Sequence, residues 1–290
     1  MNQNQQPKQN AQPPQHQEKQ PGLETLMNPR PQFEHSSYKG SGKLLGKVAF
    51  ITGGDSGIGK AVAIAFAKEG AHVAIAYLDE HEDAQMTKQL VERHGVTCLL
   101  FPGDLSEEAH CQQVVNDTVA QLGNLNIVVN NIAQHFPQQG LTYITAEQLE
   151  RVFRINIFSY FYVTKAALSH LKKGDTIINT ASIVAYEGNE QLIDYAATKG
   201  AVVGFTRSLA KSLVTKGIRV NGVAPGPIWT PLIPASFASQ KVAQFGTDVP
   251  MGRPGQPWEL APAYVYLASH DSNYVSGQMI HVNGGVIVNG

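Results

Sequence analysis

The sequence predicts a doubly wound α/β fold, one domain built on a seven-stranded parallel sheet with helices on both faces. Three observations carry that expectation. Seven short, nearly continuous apolar runs recur along the chain: KVAFIT, HVAIAY, VTCLLF, NIVVNN, DTIINT, RVNGVAP and MIHVN. Longer stretches with helical spacing separate them, such as KAVAIAFAKEG, AHCQQVVNDTVAQLG and ATKGAVVGFTRSLAKSLVTKG. The first run leads straight into a glycine-rich turn, Thr52-Gly53-Gly54-Asp55-Ser56-Gly57-Ile58-Gly59. Strands buried on both faces read as unbroken apolar runs, and their alternation with helices makes a parallel sheet the compact arrangement.

Ahead of the first strand lies a different kind of segment. Residues 1–43 are rich in Gln, Asn and Pro, with hardly an aliphatic side chain before Leu23. Such a stretch cannot bury enough apolar surface to offset its ordering entropy. It either stays disordered or docks through Pro29, Pro31, Phe33 and Tyr38 on its own domain or on a neighbouring subunit. The expected sheet domain runs from 44 to 290, with no internal repeat and no second domain.

Bulk composition narrows the function. Of the 290 residues, 42 % are hydrophobic, ample for a sizeable core. Charged residues make up 16 %, below the ~25 % of an average soluble domain, which points to surface covered by sister subunits. With 22 basic and 23 acidic residues, nothing in the charge attracts nucleic acid or an anionic membrane. Cys98 and Cys111 form no C-x-x-C pair and read as free thiols in a reducing compartment. The opening MNQNQQPKQN lacks the apolar stretch of a secretory signal, and no run approaches the roughly 20 residues that span a bilayer. A soluble, cytoplasmic protein is expected. The ten histidines show no metal-ligand spacing, so no metal is expected.

The glycine turn has a specific physical use. A diphosphate must approach backbone N–H groups at a helix N-terminus, where side chains would block it. Glycines also permit the tight turn and close helix–strand packing. The spacing is T-G-x-x-x-G-x-G rather than the general G-x-G-x-x-G fingerprint. Later in the chain Tyr195 and Lys199 stand four apart on a predicted helix and so share one face. An isolated Y-x-x-x-K is ordinarily an amphipathic tyrosine beside a snorkelling lysine.

Together, the two motifs resemble the short-chain dehydrogenase/reductase family, over the chain from about residue 44 onward. Further matches are Asp104-Leu105 after the third strand, Asn130-Asn131 after the fourth, Asn156 within a helix and Ser182 after the fifth. Pro225-Gly226-Pro227-Ile228-Trp229-Thr230 follows the sixth, and His281-Val282-Asn283-Gly284-Gly285 closes the set. The Gln/Pro-rich extension and the TGGDSGIG turn resemble a bacterial subgroup related to glucose/ribitol-type dehydrogenases.

The resemblance implies a Rossmann-type fold and an NAD(P)-dependent oxidoreductase that interconverts an alcohol and an aldehyde or ketone. It implies a catalytic tetrad of Asn156, Ser182, Tyr195 and Lys199. Tyr195 would be the general acid/base, Ser182 would orient the substrate oxygen, and Asn156 would hold a proton-relay water. Lys199 would hold the nicotinamide ribose. A free phenol has a pKa near ~10, so service near ~7 needs roughly 4 kcal/mol of differential stabilisation, which an ammonium and an oxidised nicotinamide both favour.

The cofactor residues implied are Gly53, Asp55, Ser56, Gly57, Ile58 and Gly59 in the turn, then Tyr77, Leu78 and Asp79 after the second strand. Asp104 and Leu105 would flank the adenine, with Asn131 and Ala133 nearby. Pro225, Gly226, Ile228 and Thr230 would meet the nicotinamide side, together with Tyr195 and Lys199. Asp55 and the acidic run Asp79, Glu80, Glu82, Asp83 would repel an extra phosphate, so NAD is expected over NADP. The family's usual aspartate at the end of the second strand is here Tyr77, and Asn-Asn-Ala-Gly is here Asn-Asn-Ile-Ala.

Residues 231 to about 252 interrupt the α/β rhythm and match the family's mobile lid. Gln134, His135, Ser182, Val184, Tyr186 and Trp229 are the expected substrate pocket, for a small alcohol, aldehyde, ketone or polyol. A homotetramer is implied. The competing reading is a non-catalytic dinucleotide-binding redox sensor, which would have no need of Tyr195 beside Lys199. About 65 residues follow the sixth strand, too few for the substrate domain of the family's extended branch.

Overall fold

The computed structural model describes residues 12–287. Residues 1–11 of the expected extension lie outside them. Seven parallel strands form one sheet in the order β3-β2-β1-β4-β5-β6-β7. They are β1 (Val48–Thr52), β2 (His72–Tyr77), β3 (Cys98–Pro102), β4 (Ile127–Asn130), β5 (Thr176–Thr180), β6 (Arg219–Pro225) and β7 (Met279–Val282). The order reverses between β1 and β4, and the crevice at such a switch point is where these sheets bind ligands.

Alternation along each strand sorts side chains between two helical layers. Ala49 and Ile51 of β1, with Val73 and Ile75 of β2, face α1 (Gly57–Lys68), α2 (His81–Glu92) and α9 (Pro257–Ala268). Phe50, Ala74 and Ala76 face the other way. There they meet α3 (Glu108–Leu122), α5 (Ser159–Ala167) and α7 (Ile193–Leu213). Between α4 (Ala146–Phe153) and α5 the backbone widens into one π-helical turn, Arg154–Phe158, which contains the predicted mid-helix Asn156. Short helices α6 (Val184–Glu187) and α8 (Ser239–Ala243) flank the crevice. No described helix is long and apolar enough to cross a membrane.

Residues 12–31 lie across the carboxyl edge of this sheet as a strap, and 32–43 run back along α1 to its far end, where Tyr38, Ser41 and Lys43 hydrogen-bond to Glu69. The strap's fastening is polar. Glu24, 3 % exposed, pairs with Lys60 of α1, 1 % exposed, at 2.5 Å. Its second carboxylate oxygen accepts the Gly57 N–H at 3.0 Å. Asp83 of α2 in turn accepts the N–H groups of Glu24 and Thr25, at 2.6 and 3.2 Å. Toward the N-terminus, Gln17 N–H donates to the Pro234 carbonyl and a His16 ring nitrogen contacts the Phe237 carbonyl, both within the expected lid. Met27 packs with Trp229, Ile233 and Phe237.

Removing one partner of a buried ion pair leaves the other charge uncompensated, at about 3–5 kcal/mol. Glu24→Ala should lower the unfolding free energy by about that amount in urea melts, and Glu24→Ala/Lys60→Met should recover most of it. A single variant as stable as wild type would show that the Glu24–Lys60 pair adds nothing to stability.

Candidate active site

The site begins where β1 ends. Thr52 turns its hydroxyl toward β4 and accepts the N–H groups of Asn131 and Ile132, at 2.8 and 3.2 Å. The Asn131 carboxamide reaches back to the carbonyls of Thr52 and Gly53. The glycine turn is held to both strands at the switch point. Gly57 adopts φ +51°, a left-handed conformation that favours glycine. A Cβ on Gly59 would lie 1.9 Å from the Gly53 carbonyl oxygen, so only glycine lets the helix start this close to the turn.

From this turn a cavity of about 640 Å³ runs along the sheet edge to Tyr195. Its volume falls within the ~300–1,000 Å³ of small-molecule and cofactor sites. Every expected cofactor residue lines it except Gly59 and Asp79, and of the expected pocket residues Gln134, His135, Ser182 and Val184 do so. The glycine cradle and the elongated crevice fit a dinucleotide: Gly53, Ser56, Gly57 and Ile58 could take its phosphates. Asp104 and Leu105 could flank its adenine, and Pro225, Ile228 and Thr230 could meet its far end.

Five expected site residues lie off the cavity, each for a visible reason. Gly59 sits beneath the turn, against Gly53. Asp79 is drawn outward into an ion pair with Lys19 of the strap. Trp229 is fully buried and donates its indole N–H to the Pro29 carbonyl at 2.9 Å, so it anchors the strap rather than lining the mouth. Tyr186 packs edge-on against His281, ring centroids 4.5 Å apart. Asn156 stands behind the wall. It accepts the Gln134 N–H, donates to the Gln134 carbonyl, both at 2.8 Å, and donates to the Thr198 hydroxyl at 3.2 Å.

Other lining residues were not among the expected cofactor or pocket residues. Arg151 of α4 bridges Asp104 (3.2 Å) and the Gln134 side chain (3.1 Å). Glu80 joins Asp55 beside Tyr77, and Pro21 and Gly22 bring the strap into the wall. The acidic run did signal Glu80, and Pro-Gly marks a bend in the extension. Nothing local distinguishes Arg151 from any other arginine on an amphipathic helix.

Tyr195 and Lys199 project from α7 one turn apart, both buried. The Lys199 ammonium donates to the Thr180 carbonyl at 2.8 Å and to the Tyr160 hydroxyl at 3.4 Å, and stands 5.6 Å from the Tyr195 ring centre. Burial pushes the Tyr195 phenol up to about 12, against the opposing Ser182 hydroxyl. Burial also pulls Lys199 down to about 7. The chain's own groups therefore do not make a base of Tyr195; a further positive charge beside it would.

The geometry meets its counterpart in known proteins. The sequence model of a family described as Enoyl-(Acyl carrier protein) reductase matches residues 53–287. The chain is 63 % identical over 275 residues to the uncharacterized oxidoreductase YhdF of Bacillus subtilis, covering 95 % of each. It is 53 % identical to the glucose and ribitol dehydrogenase of Daucus carota, over 96 % of this chain and 98 % of that one. It is 52 % identical to the chloroplastic NADPH-dependent aldehyde reductase 1 of Arabidopsis thaliana, over 95 % and 98 %. A short-chain dehydrogenase of Burkholderia cenocepacia in complex with NADP superposes with a TM-score of 0.79 at 28 % identity, over 84 % of this chain and 98 % of that one. The chain belongs to the short-chain dehydrogenase/reductase family and is an oxidoreductase of that type.

The Lys199 shift has a consequence for stability. Its folded pKa is about 7 and an unfolded lysine titrates near ~10.4. Between those values the unfolded chain holds the extra proton, so folding stability rises with pH across the window. Wild type should gain stability relative to Lys199→Met between pH 7 and 10 in parallel urea melts. A constant difference between them would contradict a depressed Lys199.

Proposed function

We propose that the protein is an NAD(P)-dependent oxidoreductase that interconverts an alcohol and an aldehyde or ketone, with Tyr195 as general acid/base. One observation carries the reading: a single cavity joins the glycine cradle to Tyr195, Ser182 and Lys199. When bound, the nicotinamide supplies or accepts the hydride. Ser182 holds the substrate oxygen against Tyr195, and the phenol gives that oxygen its proton in the reductive direction. Lys199, steadied by the Thr180 carbonyl, reaches the ribose and lends positive charge as it protonates. Asn156 acts from behind, fixing the backbone of Gln134 and with it the wall opposite Tyr195.

NAD is proposed over NADP on electrostatic grounds. The relatives' names point the other way, since the Arabidopsis relative is NADPH-dependent and the Burkholderia structure holds NADP. In this chain Asp55 and Glu80 meet near the end of β2. Burial, opposed in part by the Ser56 hydroxyl, pushes Asp55 up to about 6. Burial and the Asp55 charge push Glu80 up to about 7. A phosphate dianion there would add charge beside two carboxylates that burial already resists ionising. Lys19, the cation of the strap at this end, is engaged with Asp79.

Assembly as a homotetramer is part of the reading. Phe158 and Phe161, 40 % and 50 % exposed, form an apolar strip at the start of α5 that a subunit contact would cover. A cytoplasmic setting suits Cys98 and Cys111, free and buried. Light scattering at the mass of one chain would overturn the assembly.

The deciding measurement is oxidation of NADH and NADPH against a panel of aldehydes, ketones and sugars. Turnover should be faster with NADH, and Tyr195→Phe should bind NADH as wild type does while losing at least about a thousandfold in kcat. A fully active Tyr195→Phe would overturn the mechanism. NADH binding without turnover on any substrate would favour a redox sensor.

A further inference from the structure

His135 lines the cavity beside Tyr195, yet neither of its ring nitrogens has a hydrogen-bond partner among the described residues. The side chain is only 5 % exposed. A polar group buried without a partner carries its full desolvation penalty, and in native proteins such a group marks strain, an unplaced water or a function.

The ring is held in place by three separate elements. Gln20 of the strap brackets its backbone, donating to the His135 carbonyl at 2.7 Å and accepting the His135 N–H at 3.4 Å. Tyr195 of α7 packs edge-on against the ring at 5.0 Å between centroids, and Phe237 of the lid does so at 5.4 Å. The preceding residue, Gln134, is fixed by Asn156 and Arg151. An imidazole placed this firmly beside the acid/base does not serve as packing alone, since phenylalanine would fill the space without unpaired nitrogens.

Burial, reinforced by the positive charges of Lys199 and Lys241, pulls His135 down to about 3, so the imidazole is neutral. A neutral imidazole offers one N–H donor and one acceptor nitrogen. It has no charge with which to hold a carboxylate or phosphate. A hydroxyl reaches one ring nitrogen at a time but suits either, donating to the bare nitrogen or accepting from the N–H. With the reacting oxygen at Tyr195, whose ring centre stands 5.0 Å from that of His135, a hydroxyl on the adjacent carbon would be the substrate group nearest the imidazole. Resting on the oxidoreductase reading above, we propose that His135 is a specificity-determining residue that selects substrates bearing a hydroxyl next to the reacting carbonyl. These are 2-hydroxyaldehydes, hydroxyketones and the corresponding vicinal diols.

The test is a ratio. Wild type should reduce 2-hydroxypropanal with a kcat/KM at least about a hundredfold above that for propanal, which lacks only the hydroxyl. His135→Phe, which keeps an aromatic ring against Tyr195 and Phe237, should bring the ratio to within about threefold of one. His135→Gln, with one donor and one acceptor, should restore part of the preference. NADH affinity, read by fluorescence titration, should be the same in all three. A wild type that treats the two aldehydes alike, or a preference that survives in His135→Phe, would overturn the role of His135. Activity of wild type on propanal keeps the oxidoreductase reading standing in that case. A wild type that turns over no member of the panel would overturn both readings together.

Discussion

The ion pair between Glu24 and Lys60 is the contact on which the arrangement of the site depends. Lys60 lies in the first turn of α1, where its ammonium is shut away from water. Several kcal/mol of lost hydration must be offset there. The offset comes from 36 residues upstream, in a segment with too few apolar side chains to hold itself down. The same carboxylate caps the N–H of Gly57, the residue that starts the helix. Fastening the strap and settling the glycine turn are therefore one event. From that point the strap runs on to α2, to the loop after β4 and to the lid, and it joins four parts of the cavity wall that the sheet holds separately.

Burial also accounts for the protonation states around the cavity. Water is excluded from Tyr195, Lys199 and His135 alike, and each shifts toward its neutral form. Asp55 and Glu80 shift the same way at the other end. A ligand that brings both a diphosphate and a positive ring would meet a site with little net charge of its own near Tyr195. Its positive end would then act through a low dielectric, where a charge a few ångströms away moves a pKa most. Burial therefore biases Tyr195 and Lys199 toward their neutral forms, and a charge brought beside them would be felt strongly.

Much of this was legible in the sequence, and the reasons differ from part to part. The five inner strands were readable because both their faces are covered, which leaves apolar runs without interruption, and the half-buried edge strands β3 and β7 by their place in the alternation. The turn was readable because Gly57 needs a left-handed backbone and Gly59 admits no Cβ. Tyr195 and Lys199 were readable from helical spacing and their company. Docking of the extension was one of two readings left open, and its polar fastening was not legible: Glu24 and Gln20 look like any solvated side chain until their distant partners are known. Trp229, Tyr186 and Asp79 were assigned to the cavity from their neighbours in the chain. Their side chains turn away, toward Pro29, His281 and Lys19. Sequence proximity to a site places a backbone, and packing decides where the side chain goes.

The strap also bears on how the lid can move. Gly22 lies so close to residue 231 that a Cβ would stand 2.5 Å from the Pro231 carbonyl oxygen. Gln17 and His16 bond to the carbonyls of Pro234 and Phe237. Any outward swing of the lid must either break these bonds or carry the strap with it. Carrying the strap away would pull Gln20 from His135, and farther movement would draw Glu24 from Lys60. The second step exposes a buried charge pair, while the first parts hydrogen bonds and the solvent-exposed Lys19–Asp79 pair, which is worth little, so the two ends of the strap resist opening unequally. The lid end is the weaker, and it is the end that covers Tyr195. Parting there would leave Glu24 on Lys60 and the N–H of Gly57 capped, so the glycine turn does not depend on the lid end of the strap.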